Sequence, residues 1–296
     1  MIKVYNRRTK EYEVENVAGG KFLNVLYGSV PGKVGLELLV KRKLYSYISG
    51  KYCDSRISSG LIKKFVDSYD IDISECQDEV KSFKTFNEFF IRKMKSHMRP
   101  FDNEPTRLLS PGDGRMYAWK DIDINRLVQV KGLSYSLKDL LRDDDLASRY
   151  EGGVLAILRL CPLDYHRFHF IDGGICSKTV KIKGHYYSVN PVALKSISRL
   201  YCQNKREYSV FKSDNFGDVL YIEVGATSVG SIVQTYIPDR KVSRGDEKGY
   251  FKFGGSTLIM VMEKDRVEID DEILEQTESG YETRVIAGEV IGRKKK

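Results

Sequence analysis

The sequence predicts an α+β protein, a helical N-terminal section packed on a β-rich body. Three observations carry this. Apolar residues recur at helix-like intervals from about residue 20 to 98. From about residue 107 onward they gather in short or alternating runs, and glycines punctuate those runs as turns do. A chain of 296 residues, 41% hydrophobic and 30% charged, can bury a full core, and nothing in it suggests disorder or a coiled coil.

In the helical section, Phe22, Leu23, Val25 and Leu26 open the pattern, and Leu36, Leu38, Leu39 and Val40 resume it beyond Pro31-Gly32. Leu61, Ile62, Phe65 and Val66 form the next stripe. Thr85 is placed to N-cap a helix through Phe86, Phe89, Phe90 and Met94, with Glu88 as capping-box partner. Lys and Arg flank these stripes, a layout shared by interfacial helices and ordinary docked ones.

In the body, Val154 to Leu160 and Leu258 to Met262 are apolar runs entered through Gly152-Gly153 and Gly254-Gly255. Val180 and Ile182 alternate with Lys181 and Lys183. Val219–Val224 and Ser231–Tyr236 read as two paired strands joined through Gly225 and Gly230. The section boundary falls near 100, giving 1–100 and 101–296.

Lys and Arg exceed Asp and Glu by 49 to 41, a net charge of +8. Such a balance favours nucleic acid or an anionic membrane surface as partner. The five cysteines show neither C-x-x-C nor zinc-ligand spacing, and no signal peptide is evident, so a reduced compartment is expected. No apolar run is long enough to span a bilayer. Work on lipid would be done from the surface.

Three segments could carry chemistry. Two of the four histidines, His166 and His169, share the stretch Asp164-Tyr165-His166-Arg167-Phe168-His169. After Pro162, with Asp164 able to cap the following amides, a helical turn is expected, which would put both imidazoles on one face for proton transfer. A metal site is not expected, since H-E-x-x-H is absent. Ser110-Pro111-Gly112-Asp113-Gly114 is a turn whose carboxylate could orient a histidine. Phe253-Gly254-Gly255-Ser256-Thr257 precedes the last apolar run and lacks the G-x-S-x-G of a nucleophile elbow. Each segment read alone is ordinary turn or hairpin chemistry.

In this order and spacing, the three segments resemble the phosphatidylserine decarboxylase proenzyme family. So do Thr85-Phe86-Asn87-Glu88-Phe89-Phe90, Ser188-Val189-Asn190-Pro191, Asn204-Lys205-Arg206 and Val224-Gly225-Ala226-Thr227-Ser228-Val229-Gly230-Ser231-Ile232. The resemblance runs from about residue 80 to the C-terminus. It implies a membrane-facing helical section on a catalytic body, and self-cleavage between Gly255 and Ser256 into a β chain, 1–255, and an α chain, 256–296. Ser256 would become a covalent pyruvoyl cofactor that forms a Schiff base with the amine of phosphatidylserine, yielding phosphatidylethanolamine and CO2. Asp113, His169 and Ser256 would form the processing triad, with His169 as base, and His166 would assist decarboxylation. His97 and His185 match no family catalytic position. Asn190 and the 225–230 hairpin are expected near the substrate.

The chain departs from commoner family forms at Gly112, at Gly254 and in the loop after His169, none of which removes a named residue. The implied partners are phosphatidylserine in an anionic membrane and the two chains of one precursor, without nucleic acid. A homodimer is an open option. The expected location is peripheral, on the cytoplasmic face of the cell membrane. Competing functions are a pyruvoyl-dependent decarboxylase of a soluble amino acid and an unprocessed lipid-binding relative. Retention of Asp113, His169, Gly255 and Ser256 speaks against the latter.

Overall fold

The computed structural model describes residues 2–15, 43–130, 133–226, 232–254 and 256–295, the side chains of 43–47 and 130 excepted. The expectations placed on Leu38, Leu39 and Val40, on residues 227–231 and on Gly255 lie outside these residues.

The described N-terminal part contains two strands, β1 (Lys3–Asn6) and β2 (Glu11–Val14), then helices α1 (Lys43–Cys53), α2 (Gly60–Tyr69) and α3 (Phe86–Phe90). The body begins with β3 (Arg107–Leu109), β4 (Gly114–Trp119), β5 (Leu127–Val130) and β6 (Leu133–Tyr135), followed by helices α4 (Leu137–Leu141) and α5 (Asp144–Ser148). Next come β7 (Val154–Leu160), β8 (Arg167–His169), β9 (Gly174–Cys176) and β10 (Val180–Ile182), then α6 (Pro191–Ser196) and α7 (Leu200–Gln203). The central strands β11 (Arg206–Ser213) and β12 (Gly217–Gly225) precede β13 (Ile232–Gln234), β14 (Lys241–Val242), β15 (Glu247–Phe251) and β16 (Ser256–Met262). The chain closes with β17 (Val267–Ile269), helix α8 (Asp271–Glu278), β18 (Glu282–Val285) and β19 (Val290–Lys294).

An 11-stranded sheet organises the molecule in the order β14-β9-β11-β12-β16-β7-β4-β18-β1-β2, with β10 beside β11. The two apolar runs read from the sequence, β7 and β16, pair antiparallel at its centre, and both are buried along their whole length. Burial on both faces is why they read as continuous rather than alternating runs. Leu155, Ile157, Ile259 and Val261 face one core, and Leu158, Leu160, Leu258 and Met260 face the other. The N-terminal strand β1 joins the same sheet, parallel to β18.

A second sheet, β13-β15-β8, packs on the face bearing Leu258 and Met260 through Phe168, Phe251 and Ile232. The expected pairing of Val219–Val224 with the segment after Gly230 does not occur. β12 pairs with β11 and β16 in the large sheet, whereas β13 pairs with β15 in the small one, so the connection changes sheets. Local alternation identifies a strand but not its partner. Lys248 on β15 ties the two sheets together, donating to Glu223 on β12 at 2.6 Å with both side chains fully buried.

The helices form a third, smaller core. Cys53, Ile62, Phe86, Phe89 and Phe90 pack there with Phe65, Val66 and Phe253. Thr85 caps α3 as expected, accepting from the Glu88 N–H at 3.1 Å, while the Glu88 carboxylate reaches back to the Lys84 N–H. The helix stops at Phe90, short of Met94, which instead bridges to Cys76.

Candidate active site

Ser256 is the first residue of β16, held between Gly225 of β12 and Leu160 of β7. Its alternation with Leu258 turns its side chain towards the small sheet. Gly225 leaves open space opposite it, and the Asn204 side chain fixes that glycine by donating to its carbonyl at 2.9 Å and to that of Tyr187 at 2.7 Å. The Asn204-Lys205-Arg206 motif thereby supports the strand beside the serine. Only 1% of Ser256 is exposed.

The helical turn expected through His166 and His169 is not formed. Residues 162–164 turn, and the chain then enters β8, where Arg167, Phe168 and His169 pair with Tyr250, Gly249 and Glu247. Asp164 does not cap forward. Its carboxylate accepts from the Cys161 N–H behind it at 2.7 Å and pairs with Arg115. A strand sends the two imidazoles into different surroundings.

His166 lies against the serine. Its Nδ1 is 3.4 Å from Ser256 Oγ and its Nε2 is 3.0 Å from the Cys161 carbonyl. A carbonyl only accepts, so the proton sits on Nε2 and the Nδ1 lone pair faces the hydroxyl. Phe90 stacks on the ring at 4.0 Å. Complete burial drives the His166 pKa down to about 3, although the nearby Asp164 charge opposes this. The imidazole is therefore neutral at rest.

His169 donates from Nδ1 to the Gly245 carbonyl at 2.9 Å, which leaves its Nε2 to accept from the Tyr165 hydroxyl at 3.2 Å. Burial lowers its pKa too, opposed by the Gly245 bond and by the negative charges of Glu247 and Asp113. Gly245 adopts φ +82°, where a Cβ would stand 2.9 Å from Phe101, so only glycine delivers this carbonyl without strain. Its loop is pinned by Arg244, which pairs with the buried Asp172 at 2.9 Å.

Asp113 sits on the turn expected of it, with Ser110 Oγ donating to the Gly112 carbonyl at 2.7 Å. A Cβ at Gly112 would meet nothing closer than 3.5 Å, so the glycine there is not demanded by space. The Asp113 carboxylate is clamped by Arg99, whose Nη2 and Nε reach it at 2.7 and 2.9 Å, and it also accepts from the Ala287 N–H at 2.9 Å. Its hydrogen-bond partners among the described residues do not include His169. The two are linked through the backbone, where the His169 N–H donates to Pro111 at 2.8 Å, and by charge through space.

The structure thus brings Ser256 to His166 and leaves Asp113 and His169 on separate partners. Asn190 N-caps α6, its Oδ1 accepting from the Val192 N–H at 2.8 Å. His97 is exposed, and His185 stacks near Tyr187. Sequence reasoning passed over Tyr165, Gly245, Arg99 and Asn87. Tyr165 lay inside the histidine stretch, and Asn87 and Phe90 inside a quoted motif. Nothing local marked Arg99 or Gly245, which act across long sequence separations.

The family model described as phosphatidylserine decarboxylase matches residues 86–293. The phosphatidylserine decarboxylase proenzyme of Ruminiclostridium cellulolyticum is 60% identical over 99% of this chain and 97% of its own length. Those of Clostridium perfringens and Clostridium beijerinckii are 54% and 55% identical, each over 99% of this chain and 100% and 99% of their own lengths. With a family match over most of its length and relatives this similar from end to end, the chain belongs to the phosphatidylserine decarboxylase family.

Proposed function

We propose that the chain cuts itself at Gly255–Ser256, turns Ser256 into a pyruvoyl group and converts phosphatidylserine to phosphatidylethanolamine and CO2 at a membrane surface. The observation that carries this is a buried serine at the head of a central strand with an imidazole lone pair aimed at its hydroxyl.

In processing, Ser256 Oγ attacks the Gly255 carbonyl as a base takes its proton, and the amide becomes an ester. Elimination frees Gly255 as a carboxylate and leaves a dehydroalanine at 256. One water then replaces the nitrogen, which departs as ammonia. His169 is assigned the base and Asp113 the charge that stabilises its imidazolium. A neutral resting imidazole suits the first role, and the field of Asp113 suits the second. The Tyr165 hydroxyl occupies Nε2, so it must relay the proton or give way. The cut fragment would keep its place, because β16 is bonded on both sides along seven residues.

The pyruvoyl group supplies the electron sink for loss of CO2. His166 takes a proton from the incoming amine at Nδ1 and returns it to the carbon that loses CO2. A neutral imidazole fixed by the Cys161 carbonyl is prepared for that first step.

Membrane contact is assigned to the helical cluster, on the cytoplasmic face. Ile48, Tyr52, Ile57 and Leu61 expose apolar side chains there, Ile57 to 80%, beside the exposed Lys51, Arg56, Lys63 and Lys64. Apolar and basic groups together fit an anionic lipid surface. No helix among the described residues is long and apolar enough to cross a bilayer. The test is Ser256→Ala, assayed on phosphatidylserine vesicles and by gel. One uncut, inactive chain is expected, and CO2 release by this variant would overturn the proposal.

A further inference from the structure

The reaction centre of the uncut chain is closed. Ser256 is 1% exposed and His166 is fully buried, so a lipid headgroup has no route to them. The side facing the helical cluster is closed by the segment just before the cut. The Phe253 ring stands edge-on to Phe86 and Phe90, at 4.9 and 5.1 Å, and its N–H donates to Asn87 Oδ1 at 2.9 Å. Phe90 is also the ring that stacks on His166. The space occupied by Phe253 is therefore an apolar slot ending at the imidazole.

We infer that once the 255–256 bond is cut, residues 252–254 leave this slot, and the glycerol and acyl-chain portion of the lipid substrate takes their place beside His166. This rests on the cleavage proposed above. Three features carry it. The cut creates a carboxylate on residue 255 next to buried, apolar surroundings, where an unpaired charge is costly, and Lys252, the cation nearest in sequence, is already paired with Asp54 at 3.1 Å. That new charge would also repel an incoming anionic headgroup.

The segment is weakly held beyond β15. Phe251 is still anchored, its N–H donating to the His166 carbonyl at 2.9 Å. After it come one backbone hydrogen bond, two ring edges and the Lys252–Asp54 pair, whose side chains are 30% and 42% exposed and so contribute little. Release therefore hinges at Lys252 and leaves the small sheet intact.

The slot also leads to lipid. Its wall at Phe86 is fixed by Ser58, whose Oγ accepts the Phe86 N–H at 2.9 Å, and Ser58 adjoins the exposed Ile57. An acyl chain drawn in past Ile57 would meet aromatic surface all the way to His166.

The test applies carboxypeptidase to the processed wild-type enzyme and follows both chains by intact mass. The β chain should be trimmed back to about Phe251 while decarboxylation of phosphatidylserine vesicles is retained. Lipid and tail should exclude each other. With phosphatidylserine at twice its dissociation constant the seated fraction falls about threefold, so trimming speeds up, and phosphatidylcholine vesicles leave it unchanged. A β chain that keeps residue 255, trimming unmoved or slowed by phosphatidylserine, or loss of activity on trimming would each overturn the inference. Failure of the chain to cut at all would instead count against the cleavage itself.

Discussion

His166 and His169 stand three residues apart and occupy opposite kinds of site. His166 is sealed between Phe90 and Ser256, with its Nε2 proton held by the Cys161 carbonyl. His169 lies at the edge of the small sheet, its Nδ1 proton held by Gly245 and its lone pair covered by Tyr165. The difference comes from extended backbone, which sends near neighbours to different faces where a helical turn would have paired them. Two tautomers, set by two different carbonyls, give one short stretch two separate proton-handling sites.

The largest test of this division removes each imidazole in turn. His166→Ala should still be cut but lose about 10²- to 10⁴-fold in turnover, the usual worth of a positioned acid–base group. His169→Ala should slow cutting by a similar factor, read as the rate of α-chain release on a gel. Uncut His166→Ala, or normally cut His169→Ala, would reverse the assignment.

A disturbance shared by both sites should look different. Glu223→Leu strands the buried Lys248 beneath β15, the strand that pairs with β8, and should cost about 3–5 kcal/mol in denaturant unfolding. The double variant with Lys248→Met should recover most of that loss. If it does not, the pair is more than a stitch between sheets.

Gly245→Ala sharpens the contrast from the His169 side. The added Cβ meets Phe101 and displaces the carbonyl, so cutting should slow by about tenfold, the worth of one orienting hydrogen bond, with turnover of already processed enzyme unchanged. Acid separates the two sites in another way. An unfolded histidine takes a proton near 6.5, whereas buried His166 takes one only near 3. Its contribution to stability is therefore complete above about pH 6.5 and is lost as pH falls towards about 3. Thermal unfolding of His166→Asn should show a shallower acid slope than wild type. The smallest effect is expected from Thr85→Ala, about 1 kcal/mol, because it removes only the cap of the helix that carries Phe90.

Much of the fold was legible where one residue's neighbours in sequence decide its structure. The apolar runs of β7 and β16 and the Thr85 cap were of this kind. What stayed hidden depended on distant partners. β1 finds β18 across nearly the whole chain, β13 pairs with β15 rather than β12, and Arg99 reaches Asp113 from the far side of a turn. In the site, the residue types were legible and their partnerships were not. Asp113 was expected to hold His169, yet a backbone carbonyl at Gly245 does so, and no side-chain pattern announces a carbonyl.

The most direct test of the central claim is an intact-mass spectrum of the purified protein under denaturing conditions. The account predicts two species split between residues 255 and 256, the smaller lighter than a serine-terminated fragment by one ammonia. A single uncut chain, or a fragment that begins with unmodified serine, would contradict it.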